Sequence, residues 1–246
     1  MTRPPQLGDT RSRLARRVAC AVAACALASG ARATDVADWH YASPLPDATI
    51  QIGPRRLHLP PGHWTLVHRS EFEAWGANLG ARASSVTAYT AWAVRIEDGE
   101  FRMAVALSLP VRRLQYLHRW GPDPCARERS LIFQRTLSSS AATPECLSID
   151  GSLSFMQSMR STNIPVANWF ETQKFKDVDG LVHVLYTKHH NTTFGRVSVL
   201  LPTQAFESDI ELIRWSNALP ALLGPLIDAD ADDATLPEPP PTPAKP

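Results

Sequence analysis

Few side chains that do chemistry stand close together in this chain of 246 residues. His189-His190 is the most suggestive pair, because adjacent imidazoles on a turn can bind a metal or pass a proton near neutral pH. A metal site needs three or more converging ligands, and nothing stands at ligand spacing from this pair. It reads as a polar hairpin turn, with an interaction role as the functional alternative. Asp177-Val-Asp-Gly180 opens like a calcium loop, but its Gly comes fourth instead of sixth, and Lys188 stands where the twelfth position needs a bidentate carboxylate. It reads as a turn. The stretch Val111 to Trp120, with Arg112 and Arg113, mixes bases with aromatics, a combination that contacts phosphates or anionic headgroups. Val111, Leu114 and Leu117 at helical spacing account for the same stretch by packing alone. Trp64, Trp75, Trp120 and Trp169 are candidate interface aromatics.

Nucleophile motifs are missing from the sequence. There is no Gly-x-Ser-x-Gly elbow, no His-Glu-x-x-His and no phosphate loop. Glu71, Glu73, Glu97 and Glu100 are possible acids and bases without partners. A hydrolase acting on envelope lipid or polysaccharide would need His183, His189 or His190 to meet a nucleophile in a cleft. No catalytic residue, cofactor or metal is expected, and a non-catalytic role leads.

The elements that would position these residues are mostly strands. From Ser85 to Leu109 apolar and polar residues alternate on both sides of Asp98-Gly99, the strongest short hairpin signal. A second hairpin spans 181–201, joined by Lys188-His-His-Asn191. Shorter strands are expected at 47–52, 55–59 and 63–69, broken by Gly53-Pro54 and Pro60-Pro61-Gly62, and again at 129–137 and 147–156. Ser208-Asp-Ile-Glu211 fits a capping box opening a late helix that packs Ile210, Ile213 and Trp215, with Pro220 interrupting or restarting it. Further helices are expected at 110–120 and 164–174. The fold class is α+β, a mainly antiparallel sheet of about six to eight strands packed by a C-terminal helix; a β-sandwich with a terminal helix is the alternative.

Charge divides the chain in three. Residues 1–33 carry six Arg against one Asp, and residues 228–246 carry five carboxylates against Lys245. The middle, 34–227, is neutral, so no nucleic-acid partner is expected. Arg11, Arg13, Arg16 and Arg17 precede the uncharged run Val18–Ala28. Eleven residues at about 1.5 Å each span roughly 16 Å, half the hydrocarbon core of a bilayer. That is too short for an anchor and suits a signal peptide, with Ala31-Arg-Ala33 as its cleavage pattern. The expected organisation is a signal peptide at 1–33, one domain at 34–227, and a disordered acidic, proline-rich tail at 228–246. The mature protein is then periplasmic or secreted from a bacterium. Of four cysteines it keeps Cys125 and Cys146, which read as one disulfide. Val22-Ala-Ala-Cys25 is similar to a lipobox, so membrane attachment is expected only through acylation of Cys25, as in a lipoprotein assembly factor.

Leu59-Pro-Pro-Gly-His-Trp64 is the most distinctive phrase. A strand, this turn and another strand resemble the openings of exported proteobacterial proteins, and in outline the PsbP-like folds. That resemblance implies an antiparallel sheet with helices and no single activity or functional residue. The partner expected is an envelope protein or ligand. Mass spectrometry of the exported protein is expected to give an N-terminus at Thr34. A diacylated N-terminal Cys25 would establish the lipoprotein form instead.

Overall fold

Asp98 and Gly99 both take positive φ, 53° and 76°. A type I′ turn requires that combination, and it joins the strands Ser84–Glu97 and Glu100–Pro110. The computed structural model describes residues 35–38, 40–78, 84–114, 118–119, 124–126, 131–151, 157, 159–161, 163–173 and 180–240. The strands in chain order are β1 (Ser43–Pro44), β2 (Thr49–Ile52), β3 (Arg55–His58), β4 (Trp64–Asn78), β5 (Ser84–Glu97), β6 (Glu100–Pro110), β7 (His118–Arg119), β8 (Leu131–Ser138), β9 (Glu145–Gly151), β10 (Leu181–His190), β11 (Thr193–Pro202) and β12 (Asp233–Thr235). The α-helices are α1 (Ile164–Thr172), α2 (Asp209–Ser216) and α3 (Leu219–Asp228).

Two antiparallel meanders, β4-β5-β6 and β8-β9-β10-β11, join where β6 pairs β11, giving the order β1-β4-β5-β6-β11-β10-β9-β8 with β7 added on β4. Among the described residues this makes a nine-stranded sheet, beside a three-stranded sheet ordered β12-β3-β2. The architecture is therefore the expected sheet-rich, mainly antiparallel one with C-terminal helices, but with more strands. One face of the large sheet carries Leu66, Ala93, Val105, Leu107, Val184 and Val199, and packs on Ile50, Ile52 and Leu57 of the small sheet and on Leu219, Leu223 and Ile227 of α3. The other face places Trp92, Ala104, Ala106 and Leu200 against Val166, Trp169 and Phe170 of α1.

Local chemistry explains the main elements. The Ser208 hydroxyl accepts from the Glu211 amide at 3.3 Å, and the Glu211 carboxylate accepts from the Glu207 amide at 2.9 Å, so the capping box forms one residue wider than its usual reciprocal pair. The helix stops at Ser216 and restarts at Leu219 with Pro220 in its first turn, where a missing N–H costs nothing. In the Leu59–Trp64 phrase, Gly62 takes φ +143°, and a Cβ there would lie 2.5 Å from the Arg95 side chain. Arg95 donates to the Pro61 carbonyl and Trp64 Nε1 donates to the Pro60 carbonyl, both at 2.8 Å.

Several expectations are corrected. The second hairpin runs to His190 and resumes at Thr193, so His189 and His190 are strand residues opposite Phe194 and Thr193, and the turn is Asn191-Thr192. Residues 111–114 are not helical: the Val111 amide donates to Thr87 O (2.9 Å) and the Leu114 amide to Thr192 O (2.7 Å), which ties the segment to the sheet. Ile210 is 70% exposed, and Leu212 and Ser216 face inward instead. Positions 210 and 212 lie about 200° apart around a helix, so only one can face the sheet. The acidic tail is ordered as far as residue 240: β12 pairs in parallel with β3, and Ala234 and Leu236 are buried. The proposed signal, residues 115–117 and 120, and Asp177 to Asp179 lie outside the described residues.

Arg55 links the layers. It is 2% exposed, and its guanidinium donates to the carbonyl of Pro110 at the end of β6, with longer contacts of 3.4 and 3.5 Å to the carbonyls of Ile227 and Leu226. Burial first, and then the charge of Arg113, lower its pKa to about 10, so it stays charged at neutral pH. Arg55→Met should cost about 2–3 kcal/mol in urea unfolding, because it strands these buried carbonyls. Arg56→Met, at an exposed ion pair, should cost under about 1 kcal/mol.

Candidate functional site

β4 carries an irregularity that shapes the surface. Leu66 pairs with Ala93 and His68 pairs with Trp92, so Val67 is an extra residue. Such a bulge bends its strand and re-aims the residues after it. Here it places His68 on the face of Trp92 and Arg69 on the face of Ala91. Just outside, β1 pairs along Leu66 and Thr65 and brings His40 and Tyr41 over the bulge. The result is a cleft of about 270 Å³ lined by His40, Tyr41, Leu66, His68 and Arg69.

None of the lining residues is acidic. Burial lowers the His68 pKa, so at neutral pH its ring is uncharged, with one donor and one acceptor nitrogen. Arg69 gives one donor to Val36 O at 2.8 Å and supplies the positive charge. Glu71, two residues further along the face of Arg69, accepts from the Tyr89 hydroxyl at 2.9 Å. That hydrogen bond is the first cause of the raised Tyr89 pKa. Leu66 is an apolar floor and Tyr41, 67% exposed, an aromatic wall. A guanidinium, two imidazoles and a phenol around a small apolar surface suit an anionic group carried on a compact organic body.

A polar row runs from this region across the sheet. Strand registers place Ser70, Thr90, Ser108, Arg196, Thr187, Cys146 and Thr136 side by side on one face of seven consecutive strands. Ser70 is two residues from His68 on the same face of β4. Thr90 and Ser108 share a hydrogen bond of 2.7 Å. Cys146, next to last in the row, is bonded to Cys125 with a Cα–Cα distance of 5.5 Å. The expected disulfide is therefore present, and it ties the segment before β8 to β9.

The residues singled out in the sequence do not converge. Trp64 is 3% exposed and faces the core, with Arg95 5.8 Å above its ring. Trp169 belongs to α1 and is buried against the large sheet. Arg112 is exposed. Arg113 donates to the carbonyls of Asp228 and Ala229, both at 2.7 Å, and to Asp230 at 3.0 Å, so it serves the end of α3 instead of a headgroup. His189 lies edge-on to Phe194, 6.3 Å away. His190 lies one residue on, paired with Thr193. His183 is held by Asp150 at 3.0 Å with both side chains buried. Among the described residues no three His, Cys, Asp or Glu are grouped to hold a metal ion. The cleft residues His40, Tyr41, His68 and Arg69 were missed by the sequence reading. Their one local signal is the His68-Arg69 pair inside a strand, which means nothing until the bulge is known.

Comparison with protein-family models, with curated proteins and with solved structures finds no match.

His189 gives a test of this face. Burial and then the charge of Arg196 lower its pKa from 6.5 to about 4. The unfolded chain therefore binds a proton that the folded protein refuses between those values, and stability falls as pH drops from about 6.5 to 4. The loss should approach about 3 kcal/mol. Urea midpoints should fall more steeply over that range for the wild-type protein than for His189→Gln.

Proposed function

We propose that this chain is an exported, non-catalytic binding protein of the bacterial envelope that takes a small organic anion in the cleft beside the β4 bulge. The single observation behind the ligand class is the lining: Arg69, His40, His68 and Tyr41 around Leu66, with no carboxylate among them. Export rests on the basic, short apolar and small-x-small order of residues 11–33. The Cys125–Cys146 disulfide fits an oxidising compartment, and no helix of the described residues is long and apolar enough to cross a membrane. A lipoprotein form, anchored through Cys25, would present the same domain and the same cleft.

Binding is favoured over hydrolysis by where the imidazoles lie. His183, held by the Asp150 carboxylate, is 6% exposed on β10, four strands from β4 in the sheet order and outside the cleft. Arg69 supplies a positive charge there, and no carboxylate lines the cleft to orient His40 or His68 as a general base.

Isothermal calorimetry of the mature protein against small carboxylates and phosphate monoesters tests the reading. At least one class is expected to bind, with affinity reduced about tenfold or more by His68→Gln and by Arg69→Lys, which keeps the charge but not the planar fork. Binding unaffected by both substitutions, or no binding of either class, overturns the proposal.

A further inference from the structure

Residues 229–240 leave α3 and return along the small sheet, and they are held there by contacts that any copy of the chain can supply. The Arg56 amide donates to Asp232 O at 2.7 Å, and the Leu236 amide donates to His58 O at 2.8 Å. Ala234 and Leu236 fill the core at 8% and 1% exposure. Asp230 meets Arg113 at 3.0 Å; Asp233 meets Arg56 at 2.8 Å and His58 at 3.0 Å; Glu238 meets Arg95 at 2.9 Å. Trp215 Nε1 donates to the Glu238 carbonyl at 3.2 Å. An acidic extended segment thus lies in a basic groove beside β3, which would otherwise be an open strand edge.

The connection from α3 to β12 is short, residues 229–232. It begins at Ala229, whose φ of 58° and ψ of 31° are left-handed. A side chain with a Cβ is disfavoured there, and the conformation is held by the helix C-cap, in which the Ala229 amide donates to Leu226 O at 3.2 Å and the Asp230 amide to Pro225 O at 2.9 Å. An extended hinge would relieve Ala229 and lead the segment away from its own groove. Short, strained hinges of this kind favour exchange between copies.

We propose that β12 is an exchangeable strand: the 230–240 segment of one copy docks along β3 of a second copy, and the second copy returns its own, in a reciprocal two-fold dimer. Each ion pair of residues 230–240, the Leu236 seat and the strand pairing re-form between copies. What exchange forgoes is the set of hinge hydrogen bonds from the Ala229, Asp230 and Ala231 amides to the Leu226 and Pro225 carbonyls, and the millimolar effective concentration of a tethered segment. The closed monomer therefore prevails in dilute solution, and the dimer grows with concentration and with hinge strain.

Light scattering on the mature protein, refolded at about 1 mM and then fractionated, reads the equilibrium. Ala229→Val, which places a β-branched residue at positive φ, should raise the dimer fraction about fivefold, and Ala229→Gly should lower it by a similar factor. A charge-exchange pair provides the second arm. Arg56→Asp alone sets like charges together in its own groove, and so does Asp233→Arg alone. Mixed and refolded together, the two variants can pair opposite charges in both grooves only between copies. The mixture is expected to give a heterodimer at least threefold above either variant alone, at concentrations where circular dichroism shows all species folded. Three results would each overturn the proposal: a mixture no more dimeric than its components, hinge variants that leave the dimer fraction unchanged, or a dimer that survives deletion of residues 231–246.

Discussion

The carboxyl end of α3 is the point where every layer of this molecule meets. A helix leaves its last carbonyls without partners and carries partial negative charge there. This one ends inside the fold, without a glycine cap. Amides of residues 229–231 cap the Pro225 and Leu226 carbonyls, Arg55 from β3 reaches those of Leu226 and Ile227, Arg113 beyond β6 takes those of Asp228 and Ala229, and Lys188 from β10 binds the Asp228 carboxylate at 2.6 Å. Arg55 also reaches the last carbonyl of β6. The small sheet, the large sheet and the C-terminal helix are thereby cross-braced at one site. An arginine suits the buried position because its planar fork serves several carbonyls and stays charged even with its pKa drawn down by burial.

From that junction the chain's last segment runs along β3, and its acidic residues fall opposite Arg56, His58, Arg95 and Arg113. Composition alone reads residues 228–246 as disordered, since only Leu236 is available to bury. The single leucine suffices because the segment does not fold by itself. It completes an existing core, and β3 supplies the hydrogen-bonding edge that a short acidic peptide lacks in isolation.

The large sheet is double-faced, and its two faces differ in kind. The face toward α3 is apolar at its centre, with Lys188 and Arg95 charged at its margins. The opposite face is apolar under α1, and becomes polar along the row from Ser70 to Thr136. Buried hydroxyls cost free energy unless they are paired, and the Thr90–Ser108 bond shows how neighbouring strands share that need. The cleft opens where the row reaches the bulged edge strand, so its chemistry and its shape both follow from how β4 pairs with its neighbours.

Local signals were enough for the hairpin at Asp98-Gly99, whose turn geometry is set by two residues, and for the Ser208 cap, which is set by four. The disulfide followed from counting cysteines. Each depends on short-range chemistry or on arithmetic over the chain. The depth of β4, the sheet order and the cleft depend on something else. Which face His68 takes, and which Arg69 takes, is decided by a single extra residue, Val67, and that choice comes from pairing with Ala93 and Trp92 far along the chain. The row of seven residues is equally invisible in sequence, because neighbours in it stand 9 to 88 positions apart and are aligned only by register. The sequence by itself determined the hairpin at Asp98-Gly99 and the Ser208 cap, since those preferences are local, but not the turn at Asn191-Thr192 or the strand β12. Only the tertiary structure decided which side chains share a face, because a one-residue shift in pairing sends every side chain to the other side.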